Sequence, residues 1–153
     1  MERKKNRYLI KLIAAALAVI LLTPIQAYAA VPETVSPMAS DYLASYNAYI
    51  YAAGNGELQV WFRVTGTGTQ DYLGALSVHL YESTDNENWY RVDTFLHEDY
   101  DTMLAQNTYA YMSYVTYTEG VPGRYYKALV GIWGGPGDTG DARYIWTPVV
   151  TCT

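Results

Sequence analysis

Glu57-Leu58-Gln59-Val60-Trp61-Phe62-Arg63-Val64-Thr65 is the stretch that decides the fold. Leu58, Val60, Phe62 and Val64 recur at every second position, and Gln59, Trp61 and Arg63 fill the places between. That period belongs to a strand with one face buried, because successive side chains leave a pleated backbone on opposite sides. Upstream stand Gly54, Asn55 and Gly56, residues that accept positive φ, and before them a second β-favouring run over residues 45–53. Two such runs across so short a turn read as a hairpin.

The pattern continues downstream. Residues 66–71 read as a loop and 73–82 as a third strand, with Leu76, Val78 and Leu80 inward. Residues 83–88 form a hairpin turn into a fourth strand over 89–96. There Trp89, Val92 and Phe95 do not alternate, so a bulge is expected. A long acidic connection with one helical turn covers 97–107. A Tyr-rich fifth strand follows over 108–118, a turn over 119–123, and a sixth strand over 124–133 with Tyr126, Ala128, Val130 and Ile132 inward. A Gly-rich loop over 134–141 precedes a last strand over 142–150, where Pro148 marks an edge or an end. About seven short strands with regular turns predict an antiparallel two-sheet sandwich of immunoglobulin or fibronectin type over residues 41–153.

Two local patterns agree with that expectation. Gly123-Arg124-Tyr125-Tyr126 resembles the tyrosine corner of such sandwiches. Ser83-Thr84-Asp85-Asn86-Glu87-Asn88-Trp89 resembles an S-x-D-G-x-x-W hairpin, with Asn86 in place of the glycine. More broadly, Ser40 to Leu43, Trp61 to Thr69, Leu80 to Asn86, Gly123 to Ala128 and Asp141 to Trp146 resemble small secreted proteins of Gram-positive bacteria grouped as a domain of unknown function. The resemblance implies secretion and a β fold. It implies no activity.

The first 29 residues differ in composition from the rest. Arg3, Lys4, Lys5, Arg7 and Lys11 face a single acid, Glu2; an apolar run over 9–22 follows, and Ala27-Tyr28-Ala29 closes the segment. A basic start, an apolar run and an A-x-A end make a secretory signal peptide, here over 1–29 with cleavage before Ala30. The apolar run is shorter than the roughly 20 residues a membrane span needs, and Pro24 interrupts it. Residues 30–40 read as a flexible lead-in. With no lipobox cysteine and no wall-sorting tail in the sequence, the expectation is a secreted, extracellular protein.

Losing the leader removes five of the ten bases and one of the fifteen acids, which leaves a charge of −9. Such a chain repels phosphate backbones and anionic bilayers, so neither nucleic acid nor membrane is an expected partner. The lone cysteine, Cys152, can form no intramolecular disulfide and reads as a frayed terminal thiol, open at most to another molecule. The core must therefore come from aromatic and aliphatic burial. Seventeen tyrosines, of which only Tyr8 and Tyr28 fall in the leader, and four tryptophans supply it.

For chemistry, the sequence offers His79, on the outward side of the third strand, and His97, at the start of the acidic connection. G-x-S-x-G, H-E-x-x-H and C-x-x-C are absent, so no enzyme is expected, with an unrecognised hydrolase as the alternative. Two binding chemistries are legible. If connections alternate between poles, the loops at 66–71, 97–107 and 134–141 collect Asp71, Glu98, Asp99, Asp101, Asp138 and Asp141 at one end. Calcium takes six to eight oxygens from such groups, but no D-x-D-x-D-G spacing occurs, so no cofactor is expected and calcium is the alternative. Trp61, Tyr81, Tyr125 and Trp133 are expected to point outward. Rings of that kind stack on the apolar faces of sugars and are favoured in protein interfaces. The expectation is a non-catalytic module that binds an extracellular glycan or protein, with cell-wall binding and self-association as alternatives.

Overall fold

The computed structural model describes residues 40–153; the expected signal peptide over 1–29 and nearly all of the lead-in lie outside the described residues. The described chain is all β. Its strands are β1 (Leu43–Gly54), β2 (Glu57–Ser83), β3 (Tyr90–Leu96), β4 (Leu104–Tyr117), β5 (Tyr125–Gly135), β6 (Asp141–Trp146) and β7 (Val150–Thr151), joined in one antiparallel seven-stranded sheet. The opening hairpin forms as expected. Tyr49 pairs with Trp61 and Ile50 with Val60, and Gly54, Asn55 and Gly56 turn the chain with φ of 95°, 53° and 78°. Leu58, Val60, Phe62 and Val64 are all buried.

β2 departs most from the sequence reading. The strands expected over 57–65 and 73–82 are one strand of 27 residues. The expected loop is a wide bulge inside it: Thr65 pairs with Ala110 and the next pair is Gln70 with Thr108, so residues 66–69 stand opposite Tyr109 alone. Hydrogen bonds at 3.0 Å from Thr67 N–H to the Tyr42 carbonyl and from the Gln70 amide to the Gly68 carbonyl satisfy polar groups there. A second bulge lies at Leu76, since Ala75 pairs with Ile132 and Ser77 with Gly131. It reverses the parity of the strand. Leu73 and Ala75 are buried before it, Val78 and Leu80 after it, and Leu76 itself, expected inward, is turned half out.

Because β2 is so long, its neighbours change along it. Its first half lies between β1 and β4; its second half has β5 on one side and, on the other, the start of β4 followed by β3. The sheet curls on this spine into a half-barrel. Hydrogen bonding runs through β2 from one half to the other, so the strands form one sheet. Both halves fill a single core, in which Phe62 and Leu58 join Leu73, Leu80, Tyr126 and Ile132.

The remaining elements follow the sequence reading more closely. β3 carries the expected bulge at Val92, between the pairs Leu80–Asp93 and Tyr81–Arg91. The connection after it is shorter than expected, because β4 begins at Leu104 after a 3-10 turn over Asp101–Met103. The expected last strand is split into β6 and β7 around Pro148. In the turn before β3, the Asp85 carboxylate accepts from the N–H groups of Asn88 at 2.8 Å and Glu87 at 2.9 Å. These bonds, the one from Asn88 foremost, hold its carboxyl far below the usual carboxylate range. Asn86 takes φ 62° there, where the hairpin pattern has glycine.

Cys152 corrects its expectation. It is buried at 2 % exposure, its N–H donates to the Arg124 carbonyl and its carbonyl accepts from Gly123 N–H, both at 2.9 Å. The thiol is free, and burial pushes its pKa up. The tail is thus pinned between the turns at 54–56 and 119–123, which themselves meet where Gly120 N–H donates to the Gly56 carbonyl at 2.9 Å.

Candidate functional site

The described connections gather at two poles. At one pole are the turns just named, the tail and the Glu82–Arg124 ion pair at 2.5 Å. At the other, the segment after β3 meets the 134–141 loop, and between them opens a groove of about 470 Å³ lined by Tyr72, Leu76, His97, Leu104, Trp133, Gly137 and Asp138. That size falls within the range of small-molecule sites.

The bulge and a few small residues build this groove. Leu76 reaches it because the β2 bulge turns the side chain out of the core, and His97 N–H fixes the facing segment by donating to the Leu76 carbonyl at 3.0 Å. Trp133 stands on the outer face of β5, where its partners on the neighbouring strands are Gly74 and Ala142. Neither neighbour has a side chain large enough to cover an indole. Gly140 lets the 137–141 segment close against the ring, since a Cβ there would sit 2.7 Å from Trp133 Cζ2. The result is an aromatic wall with an imidazole and a carboxylate at its rim.

The other expected rings go elsewhere. Trp61 is half-buried on the outer face of the first half, stacked on Tyr114 at 4.4 Å between centroids, with its Nε1–H donated to Gln59 at 3.2 Å. Tyr81 packs on Trp146 at 5.2 Å. Tyr125 lies half-buried at the start of β5, eight residues from Trp133, or about 27 Å along a strand rising about 3.4 Å per residue. The four rings therefore lie apart, and of them Trp133 lines the groove of about 470 Å³.

The acidic residues are likewise not gathered. Asp71, Glu98, Asp99 and Asp101 are exposed, and Asp138 lines the groove. The Asp141 carboxylate is engaged by Ser40 Oγ at 2.5 Å and Tyr42 N–H at 3.2 Å, which hold its pKa down. No three side chains of His, Cys, Asp or Glu come together as a metal-holding group among the described residues. His79 sits apart from His97, its Nδ1 3.2 Å from Thr94 Oγ1, with its pKa lowered by burial and then by Arg91.

Sequence reasoning missed the companions of these rings. Lys127 lies over Trp89 at 4.1 Å and Trp146 at 4.8 Å. Tyr72 and Leu76 reach the groove only through the bulges of β2, which leave no mark in the hydrophobic period. No family model, no curated protein and no solved structure matches the chain.

Proposed function

We propose that this chain is an exported, non-catalytic binding module whose groove beside Trp133 takes a ring of a neutral extracellular glycan. The observation that carries the reading is the position of Trp133, an indole with only Gly74 and Ala142 across from it on the adjoining strands, set in a groove with Tyr72. An apolar wall with a few polar groups suits a sugar, whose C–H face packs on the ring while its hydroxyls meet Asp138 and His97. The charge of −9 after export and the carboxylate at the rim disfavour polyanionic chains, so the sugar is neutral. The same proposal takes the two halves of the curled sheet as the layers of an immunoglobulin-like sandwich, a kinship favoured by the Tyr126 hydroxyl, which accepts from Val121 N–H at 2.9 Å as a tyrosine corner would. Kinship with the small secreted proteins of Gram-positive bacteria belongs to it too.

The test is co-sedimentation with cellulose, chitin, xylan and peptidoglycan. The expected result is saturable binding to at least one, weakened about tenfold or more in Trp133→Ala, a loss of about 1.4 kcal/mol, and unchanged in Trp61→Ala. Binding to none of them, or binding indifferent to Trp133, would overturn the reading.

A further inference from the structure

The outer face of β5 and β6 continues past the groove. Opposed residues of an antiparallel pair stand on the same face. Trp133 with Ala142, Gly131 with Tyr144 and Leu129 with Trp146 are therefore three successive steps away from the groove. Tyr144 is 66 % exposed and Trp146 48 %. At a rise of about 3.4 Å per residue, the strip from Ala142 to Trp146 runs for about 14 Å.

The rings on this strip are held in place. Tyr144 lies over Gly131, where a Cβ would sit 3.1 Å from the tyrosine Cε1. The Trp146 indole packs on Tyr81 at 5.2 Å, and the Lys127 ammonium lies 4.8 Å from its centroid. Trp133, at the groove end, is closed in by Gly140. Rings already fixed lose little freedom when a ligand settles on them.

Chemistry and size indicate the occupant. None of the residues in those three pairs is charged. β6 also ends the sheet, so backbone N–H and C=O groups on its free edge run beside the rings. Rings suit the C–H faces of sugars, and the edge offers partners for their hydroxyls. Two strands make a strip about 10 Å wide. That area is far below the roughly 800 Å² each side of a stable protein interface buries. It is also longer than one sugar ring needs. We propose that a single neutral glycan chain lies along β6, with one ring in the groove beside Trp133 and further rings over Tyr144 and Trp146. This rests on the reading of the groove as a sugar site and deepens it: the ligand is an extended chain, and affinity grows with its length.

The experiment is isothermal titration calorimetry on protein purified from cells expressing the full chain. The probes are cello-, xylo- and chito-oligosaccharides, each from disaccharide to hexasaccharide. The expected result, in at least one series, is a hexasaccharide bound about tenfold or more tighter than the disaccharide. Tyr144→Ala should shrink that ratio to about twofold. Tyr109→Ala removes an equally exposed tyrosine from β4 and should leave the ratio unaltered. Near-UV circular dichroism checks that each variant keeps its packing. Tyr144→Thr, which suits a strand better, replaces Tyr144→Ala if that variant does not. Binding that needs Trp133 but does not strengthen with length, or strengthens equally in Tyr144→Ala, would overturn the chain proposal and leave the groove reading standing. Binding in no series would overturn it too. Binding indifferent to Trp133→Ala would overturn the groove reading along with it.

Discussion

The Tyr126 hydroxyl donates to the Glu82 carboxylate and accepts from Val121 N–H at 2.9 Å, while its ring is fully buried. One atom thus ties the 119–123 turn to β2 and, through the ion pair, to Arg124. Tyr126→Phe keeps the ring and strands both partners, so urea unfolding should show a loss of about 1–3 kcal/mol. Burial, and next the bond to Glu82, push the Tyr126 pKa up to about 12. A group raised in the folded state contributes stability in full below its unfolded pKa, near 10 for tyrosine, and loses it as pH rises toward the folded value. Stability should therefore fall between about pH 10 and 12 in the parent, and less steeply in Tyr126→Phe. This residue was legible in the sequence, because Gly123-Arg124-Tyr125-Tyr126 carries its own local pattern. Cys152 was not. Its position suggested a frayed end, and its burial depends on two distant turns closing over the tail.

Among the elements, β2 shows what a hydrophobic period conveys and what it hides. The alternation from Leu58 to Val64 gave the strand, its face and its hairpin partner correctly. Gly66-Thr67-Gly68-Thr69 has the composition of a loop, and only pairing with β4 on both sides of it makes it a bulge. The bulge at Leu76 is equally silent, yet it delivers that side chain to the groove. Gly74 lies between the two bulges, where β4 begins opposite it. A Cβ there would sit 2.2 Å from the Met103 carbonyl oxygen. Backbone cannot yield as a side-chain tip can, so Gly74→Ala should cost about 1–3 kcal/mol in thermal or urea unfolding. Residues 101–104 should lose amide-exchange protection first, since that is where the added methyl pushes.

At the scale of the whole molecule, the all-β class was readable, because it follows from the short β-favouring runs and the turns between them. The single curled sheet was not, since it rests on one strand serving both halves. The four rings expected to point outward are parted for the same reason. Trp61 and Trp133 belong to different halves of the curl, and the rings near Trp61 occupy one another. What remains is the groove at the pole where the bulge, the segment after β3 and the 134–141 loop meet. The measurement that tests its role most directly is a nitrogen–proton correlation spectrum, titrated with soluble fragments of whichever polysaccharide sediments with the chain. The four tryptophans give four indole signals, and the Trp133→Ala spectrum identifies one of them. The prediction is a saturable shift of the Trp133 indole together with the Gly137 and Asp138 amides, while the Trp61 indole stays in place. Shifts centred on Trp61 and Tyr114, with Trp133 unmoved, would contradict it.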